Sequence, residues 1–137
     1  MHQHTTSYSY DKNGNLLTTK DWLGNSYTNI YDALNRLVKK TDPEGKIIEK
    51  YEYNNNHVQI KAVDALEHET LFTYDKNNRL LTTTDPEEHI SSQTYDATGN
   101  IQTKTDGAGN TTTYTYDALN RLWIWSPKGF HRTLNND

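Results

Sequence analysis

Carboxylates and imidazoles are the side chains of this sequence best suited to chemistry. The dipeptides Glu67-His68 and Glu88-His89 are identical and lie 21 positions apart, and aspartates recur at a similar interval. Such groups can act as general acids and bases or as metal ligands. The chain has no cysteine, which excludes thiol nucleophiles, disulfides and thiolate metal sites. The serines lie in no recognisable nucleophile motif.

The spacing of these residues indicates structure instead of catalysis. Tyrosines that open a Tyr-Asp or Tyr-Asn pair recur in steps of 21, 22, 21, 21 and 21 residues, at Tyr10, Tyr31, Tyr53, Tyr74, Tyr95 and Tyr116. An aspartate follows each of the first five by eleven residues, at Asp21, Asp42, Asp64, Asp85 and Asp106. A period of this regularity is typical of a repeated supersecondary unit. We therefore predict that the aspartates are turn residues and that the chain has no catalytic residue.

Each repeat is predicted to be a β-hairpin with two kinds of turn. In the first, the residue four places after the tyrosine is His57 in one unit and Gly or Asn in the others: Gly14, Asn35, Asn78, Gly99 and Asn120. Gly and Asn tolerate the left-handed conformation, so this pattern predicts a type I turn closed by a left-handed residue. In such a loop Tyr31 faces Leu37 across the strands, and the other repeat tyrosines are placed alike.

The second turn of each repeat begins at the recurrent aspartate. The stretch DPEG at Asp42–Gly45 has the favoured residues of a type I turn, with Asp first, Pro second and Gly fourth. The corresponding turns at Asp64 and Asp85 lack the glycine, and we expect them to be less favourable. The extra residue of the 22-residue step falls within KIIEKYE and predicts a β-bulge.

The hairpin geometry argues against a metal site. Equivalent positions two strands apart are separated by about 10 Å, too far for His68 and His89 to share a zinc ion. We predict no metal and no cofactor. Exposed aromatic groups usually mark binding surfaces, so Trp22, Trp123 and Trp125 are the candidates for contact with a ligand or partner. The alternative for the last two is cover by the next element of a longer chain.

Composition limits the class of protein and its partners. A net charge of −4 and a pI near 5.8 predict no nucleic-acid partner, and no apolar stretch is long enough to predict membrane insertion. Leu, Ile, Val and Phe are scarce, which leans toward disorder. Ten Tyr, three Trp and many Thr offset that shortage and favour strands. The N-terminus does not resemble a signal peptide.

These observations predict an all-β fold. Six hairpins in meander order give eleven or twelve antiparallel strands of six or seven residues each. We expect a curved, open β-sheet strip, because a barrel of this many strands would leave a lumen that the side chains cannot fill. The expected division is an N-terminal tail at 1–7, a sheet array at 8–125 with units starting near 10, 31, 53, 74, 95 and 116, and a C-terminal tail or cap at 126–137.

The repeats resemble a known family. YDALNRLVKKTDPEG at Tyr31–Gly45 and YDKNNRLLTTTDPE at Tyr74–Glu87 closely resemble the YD repeats of the RHS-repeat proteins. That family includes bacterial polymorphic toxins, cell-wall-associated proteins, the cocoon-forming components of insecticidal toxin complexes, and teneurins. The resemblance covers about Tyr8 to Leu122. It implies a sheet that spirals into a hollow shell, which in toxin members encloses a C-terminal effector.

The resemblance also implies a role. Six repeats are fewer than a family shell uses, and no autoproteolytic core-end segment or effector is recognised, so we expect a fragment of a longer protein. We expect a non-catalytic structural module of a bacterial secreted or surface toxin-type protein that encloses or presents a passenger. Its partners would be further repeats of the parent chain or its own sheet edges, and an effector. The alternative is an adhesive module that recognises surface glycans or a protein through its aromatics. A cytoplasmic location is the alternative to secretion.

Overall fold

The structure is a computed structural model that describes residues 4–125 and 131–133, with side chains described as far as residue 122. The chain divides into two compact units, Met1–Thr70 and Leu71–Asp137. The described elements are strands: β1 (Ser7–Tyr10), β2 (Leu16–Lys20), β3 (Ser26–Tyr31), β4 (Leu37–Thr41), β5 (Ile47–Tyr53), β6 (Gln59–Asp64), β7 (Glu69–Tyr74), β8 (Leu80–Thr84), β9 (Ile90–Tyr95), β10 (Ile101–Thr105), β11 (Thr111–Tyr116), β12 (Leu122–Trp125) and β13 (His131–Thr133).

Within each unit the strands form an antiparallel meander. In the first unit β1 to β6 lie side by side in chain order, and each pairs antiparallel with the next. In the second unit β7 to β13 follow the same rule. The predicted fold class, an all-β antiparallel meander in an open sheet, is confirmed. The last strand, β13, lies within 126–137 and raises the number of strands above the predicted eleven or twelve.

The register between strands follows from the hairpin loops. Tyr31 lies opposite Leu37, as predicted, and the same pairing recurs for Tyr10–Leu16, Tyr74–Leu80, Tyr95–Ile101 and Tyr116–Leu122. Most of the described strands are shorter than the predicted six or seven residues. The reason is that a hairpin loop such as 32–36 has five residues outside the strand pairing, whereas the prediction allowed four. The predicted bulge is also present, since Lys40 pairs with Glu49 and Thr41 with Ile47, which leaves Ile48 without a partner of its own.

The loops share one backbone conformation at their fourth position. That residue has a positive φ in every described loop from Gly14 to Asn120, at Gly14, Gly24, Asn35, Gly45, His57, Glu67, Asn78, Glu88, Gly99, Gly109 and Asn120. The left-handed residue predicted for the first turn of each repeat is therefore confirmed, and the second turn uses it as well. Glu67 and Glu88 both have a φ of 65°, where an L-residue other than Gly or Asn is strained.

The sheet has no conventional core among the described side chains. None of them is buried, and the most exposed large apolar groups, Leu119 at 74% and Leu66 at 70%, lie in turns. The scarcity of Leu, Ile, Val and Phe in the sequence agrees with this lack of a core. A search of the described residues finds no helix of the length and apolarity needed to cross a membrane.

The strained turns yield a direct test. Replacing Glu67 by Gly removes a Cβ from a left-handed residue, so we expect the free energy of unfolding to rise by about 0.5–1 kcal/mol. Urea denaturation followed by circular dichroism measures this. The control is Glu87→Gly, because Glu87 has no positive φ and its loss should be neutral or slightly destabilising. Equal effects at the two positions would show that φ strain is not the cause.

Candidate functional site: aspartate-closed turns and tyrosine–carbonyl bonds

The repeated aspartates all perform the same task. In each described loop the side-chain oxygen Oδ1 of the first residue accepts the backbone N–H groups of the residues two and four positions later. At Asp75 these bonds, from Asn77 and Arg79, measure 2.8 and 3.1 Å. The backbone N–H of Asp75 donates to the Arg79 carbonyl, and that of Asn78 donates to the Asp75 carbonyl. We call this arrangement the aspartate-closed turn.

The two turns of each repeat are one motif and not two kinds. The residues at the first position are Asp11, Asp21, Asp32, Asp42, Asn54, Asp64, Asp75, Asp85, Asp96, Asp106 and Asp117, and all make the same pair of bonds. The prediction of two kinds of turn was wrong. The shared signal was Asp three places before Gly or Asn, which eight of the eleven described turns show.

The second carboxylate oxygen, Oδ2, is usually occupied as well. It accepts from the side chain four positions later, which is Arg36 on Asp32 at 2.7 Å, His89 on Asp85 at 3.0 Å and Asn15 on Asp11 at 2.8 Å. Arg79 and Arg121 bind their own aspartates in the same way. Turn aspartates held like this have few lone pairs left for a substrate.

These hydrogen bonds change the acidity of the aspartates. The pKa is lowered at Asp11, Asp21, Asp32, Asp64, Asp75, Asp85, Asp96, Asp106 and Asp117. At Asp11 the main cause is the Asn15 side-chain amide, and at Asp117 it is the Arg121 backbone N–H. At Asp75 desolvation raises the pKa, but the bonds from Arg79 and Asn77 outweigh it. A lowered pKa is the opposite of what a general acid at neutral pH needs.

His68 and His89 bind within their own turns and not to each other. His68 Nδ1 lies 3.1 Å from Asp64 Oδ2, and His89 Nδ1 lies 3.0 Å from Asp85 Oδ2. Ligand atoms of Asp85, Glu87 and His89 lie within 4.8 Å of one another. This grouping lies within one turn and not across repeats, and its signal in the sequence is the pattern Asp-x-Glu-x-His. Its Asp85 carboxylate already closes a turn.

The repeat tyrosines join successive hairpins. The hydroxyl of Tyr53 donates to the Leu37 carbonyl at 2.8 Å, and Tyr95 donates to the Leu80 carbonyl at 2.8 Å. Tyr31 likewise donates to the Leu16 carbonyl at 3.0 Å, and Tyr116 to the Ile101 carbonyl at 2.9 Å. We call these the tyrosine–carbonyl bonds. They reach back to a residue 15 or 16 positions earlier, which the sequence analysis did not anticipate.

Two arginines connect the turns to these tyrosines. The guanidinium carbon of Arg36 lies 4.3 Å from the centre of the Tyr53 ring, and that of Arg79 lies 4.4 Å from the centre of the Tyr95 ring. Both distances allow cation–π attraction. Arg36 also binds Asp32, so one side chain joins the turn of its own hairpin to the tyrosine of the next.

The tryptophan candidates are only partly placed. Trp22 lies in the loop between β2 and β3, is 57% exposed, and meets His4 edge to face at 4.4 Å between ring centroids. The backbone of Trp123 and Trp125 belongs to β12, but their side chains lie outside the described residues. Of the three tryptophans, Trp22 is the one whose side chain is described.

One segment of the chain matches a protein family model. Residues 95–124, which hold β10, β11 and the turns beside them, match the RHS repeat family model. This segment is therefore similar to an RHS repeat. The resemblance predicted from the sequence is confirmed. This segment contains one tyrosine–carbonyl bond and several aspartate-closed turns, and the same residues recur through the array. No curated protein matches the chain.

Solved structures share the fold. A crystal structure of TcdB2-TccC3-Cdc42 superposes with a TM-score of 0.70 at 22% identity, covering 88% of this chain and 7% of that one. TcdB2-TccC3 without its hypervariable C-terminal region gives 0.70 at 23%, again over 88% and 7%. A Photorhabdus luminescens Tc holotoxin pore with a TccC3 substitution gives 0.69 at 23%, over 87% and 6%. This chain thus spans a small fraction of the chains it resembles.

Acid should weaken the fold through the turn aspartates. Their pKa is lower in the folded chain than the value of about 3.9 in an unfolded one, so their contribution is fully present above that value and is lost as pH falls through the folded values. We expect the urea midpoint to be steady above about pH 5 and to fall below about pH 4. Denaturation series at several pH values test this.

A pair of variants isolates one turn. Asp117→Asn keeps an oxygen that can accept both backbone N–H groups, as Asn54 does at 2.9 and 3.2 Å, and it cannot titrate. We expect it to fold and to lose less stability in acid than the parent. Asp117→Ala should be less stable even at pH 7, because two N–H groups lose their acceptor. Identical acid profiles for the parent and Asp117→Asn would contradict the assignment.

The tyrosine–carbonyl bond can be tested by removing one oxygen atom. Tyr53→Phe leaves the Leu37 carbonyl without its donor and should lower the free energy of unfolding by about 1 kcal/mol. Tyr10→Phe is the matched control, because the Tyr10 hydroxyl has no hydrogen-bond partner among the described residues and its ring is 60% exposed. Chemical denaturation of both variants gives the comparison. Equal losses would contradict a specific role for the hydroxyl.

Proposed function

We propose that this chain is a non-catalytic structural module, a segment of a shell or scaffold built from RHS repeats. The observation that carries the proposal is the use of the chemistry-bearing side chains. The aspartates close turns, and the repeat tyrosines join one hairpin to the one before it. The repeat thereby builds a wall, and its carboxylates and tyrosine hydroxyls form the hydrogen bonds that hold the wall together.

Features at the two ends of the described array support partnership with further repeats. Tyr10 is exposed, with no described acceptor for its hydroxyl, and Arg121 binds Asp117 while 71% of its side chain stays exposed. In the middle of the array Arg79 occupies the same place and covers Tyr95. Tyr10 and Arg121 each lack, among the described residues, the arginine–tyrosine contact that Arg79 and Tyr95 make. Another repeat or a second copy of the chain would supply the missing partner.

The proposal extends to a passenger. The structures that share this fold are toxin complexes, and their chains are many times longer than this one. We propose that the chain is part of a bacterial secreted or surface toxin-type protein in which the wall encloses or presents an effector. The absence of a buried core among the described side chains supports a wall that is completed by other parts of a larger assembly.

Association of the purified chain tests the partnership. We expect size-exclusion chromatography with light scattering to show an apparent mass that rises with concentration. Arg121→Ala should weaken this association and lower the unfolding free energy by no more than about 0.5 kcal/mol, because its ion pair with Asp117 is exposed. Arg79→Ala should lower the unfolding free energy by about 0.5–1 kcal/mol and leave association unchanged, because its ring partner lies within the chain. A chain that stays monomeric at every concentration would contradict the open array.

Two further measurements test the module's role. Limited proteolysis of the full-length natural gene product should leave a passenger protected until urea unfolds the repeats. Equal cleavage of the passenger before and after unfolding would contradict enclosure.

Turnover above a heat-inactivated control in a panel of hydrolase substrates would contradict a non-catalytic role.

A further inference from the structure

Side-chain contacts join the first turns of successive repeats. The left-handed residue of one turn accepts a hydrogen bond from the last residue of the corresponding turn one repeat earlier. Asn15 Nδ2 donates to Asn35 Oδ1 at 2.8 Å, and Asn100 Nδ2 donates to Asn120 Oδ1 at 3.2 Å. We call these the turn–turn contacts. They connect neighbouring hairpins at the loop end of the sheet, where no described side chain is buried.

One turn–turn contact has a titratable group as its acceptor. Arg36 Nη1 lies 3.5 Å from His57 Nδ1, and these two residues occupy the positions that Asn15 and Asn35 have one repeat earlier. A guanidinium group has only donors, so Nδ1 must supply the lone pair, which it has in a neutral imidazole protonated on Nε2. A protonated imidazole donates from both nitrogens and has no acceptor. The contact between Arg36 and His57 therefore requires a neutral imidazole.

The charged groups around His57 do not favour its protonation. Its own turn has the sequence NNNHV and contains no charged residue, because Asn54 stands where the other described turns have an aspartate. The groups that face it in the first unit belong to the preceding hairpin and to β5. They are the Arg36 guanidinium, the Asp32 carboxylate, whose Oδ2 lies 2.7 Å from Arg36 Nη2, and the Tyr53 ring under Arg36. Asp32 balances the charge of Arg36, so a proton on His57 adds a positive charge beside a cation.

Two other described histidines respond to acid in the opposite sense. His68 Nδ1 lies 3.1 Å from a carboxylate oxygen of Asp64, and His89 Nδ1 lies 3.0 Å from one of Asp85. Protonation turns each of these contacts into an ion pair, which strengthens it. Among the described histidines that contact a charged group, His57 is the one whose partner is a cation.

We propose that His57 is an acid-sensitive switch in the contact between hairpin β3–β4 and hairpin β5–β6. Near neutral pH the imidazole accepts from Arg36, and the two hairpins are held together at their turns. As the pH falls through about 6.5, the region in which a histidine takes up a proton, Nδ1 binds a proton from solvent, loses its lone pair and repels the guanidinium. The contribution of the contact is thus present above this region and lost below it.

The position of Arg36 extends the effect beyond one pair of side chains. Its guanidinium carbon lies 4.3 Å from the centre of the Tyr53 ring, and the Tyr53 hydroxyl donates to the Leu37 carbonyl at 2.8 Å. These contacts join the same two hairpins as the turn–turn contact. Displacement of Arg36 by a protonated His57 therefore weakens the hairpin contact at more than one point.

The switch is separable from the other features of the chain. The turn aspartates lose their contribution below about pH 4, which lies well under the region in which histidine titrates. The proposed association involves Tyr10 and Arg121, and neither belongs to this contact. Failure of the switch leaves the association experiment unaffected, and failure of association leaves the switch unaffected.

Amide hydrogen exchange followed by NMR tests the proposal. The opening constant of amides in β4 and β5, corrected for the intrinsic exchange rate at each pH, should rise between about pH 7.5 and about pH 5.5. We expect that rise to be about two- to fivefold larger in the parent than in His57→Asn. Asn is the matched replacement, because Asn35 accepts a turn–turn contact with a φ of 61°, against 67° for His57. Amides of β9 and β10 are the reference and should respond alike in both proteins.

Two further variants assign the effect to this contact. His68→Asn removes the imidazole beside Asp64 in the same unit, and the acid-induced opening of β4 and β5 should be at least as large as in the parent. Arg36→Ala removes the cation, so adding His57→Asn to it should no longer change the pH dependence. Circular dichroism at neutral pH confirms that each variant is folded.

Three results would overturn the proposal. The first is the same pH dependence in the parent and in His57→Asn. The second is an effect of His57→Asn that persists in the Arg36→Ala background, because His57 would then act through another group. The third is an equal loss of the acid response in His68→Asn and His57→Asn, which would assign it to histidine charge in general.

Discussion

The aspartate-closed turn is the constraint on which the rest of the structure depends. A loop of five residues between two strands exposes backbone N–H groups that the ladder does not pair, and one carboxylate oxygen satisfies two of them. In most proteins burial of one face fixes the register of a sheet. Here no described side chain is buried, so the closed loops must fix which residues face each other. That explains why nearly every turn in the described array begins with Asp.

A second level of structure joins the hairpins to each other. The tyrosine–carbonyl bonds reach from one repeat to the previous one, and Arg36 and Arg79 tie the closed turn of one hairpin to the tyrosine of the next. Stability in such an array is expected to be the sum of hairpin terms and nearest-neighbour terms. An array made in this way can be extended without changing its parts, as the proposed shell requires.

Residues that depart from the repeat pattern are the ones that can serve a purpose other than building the sheet. Glu67 and Glu88 replace Gly in left-handed positions and cost stability, and the structure gives no compensating contact. Lys104 departs in another way, because the neutral Thr112 lies across from it, whereas Glu49 lies across from Lys40 and pairs with it.

The sequence by itself determined the interactions that act within a few residues of the chain. The period, the hairpins, the pairing of Tyr31 with Leu37, the left-handed residues and the bulge at Ile48 all follow from local spacing, because a closed loop fixes its own register. Tertiary structure alone decided which carbonyl each tyrosine hydroxyl meets, which ring each arginine covers, and that Lys104 faces neutral neighbours. Those contacts join residues of different strands, and they depend on lateral register and side-chain direction across the sheet, which spacing along the chain does not specify.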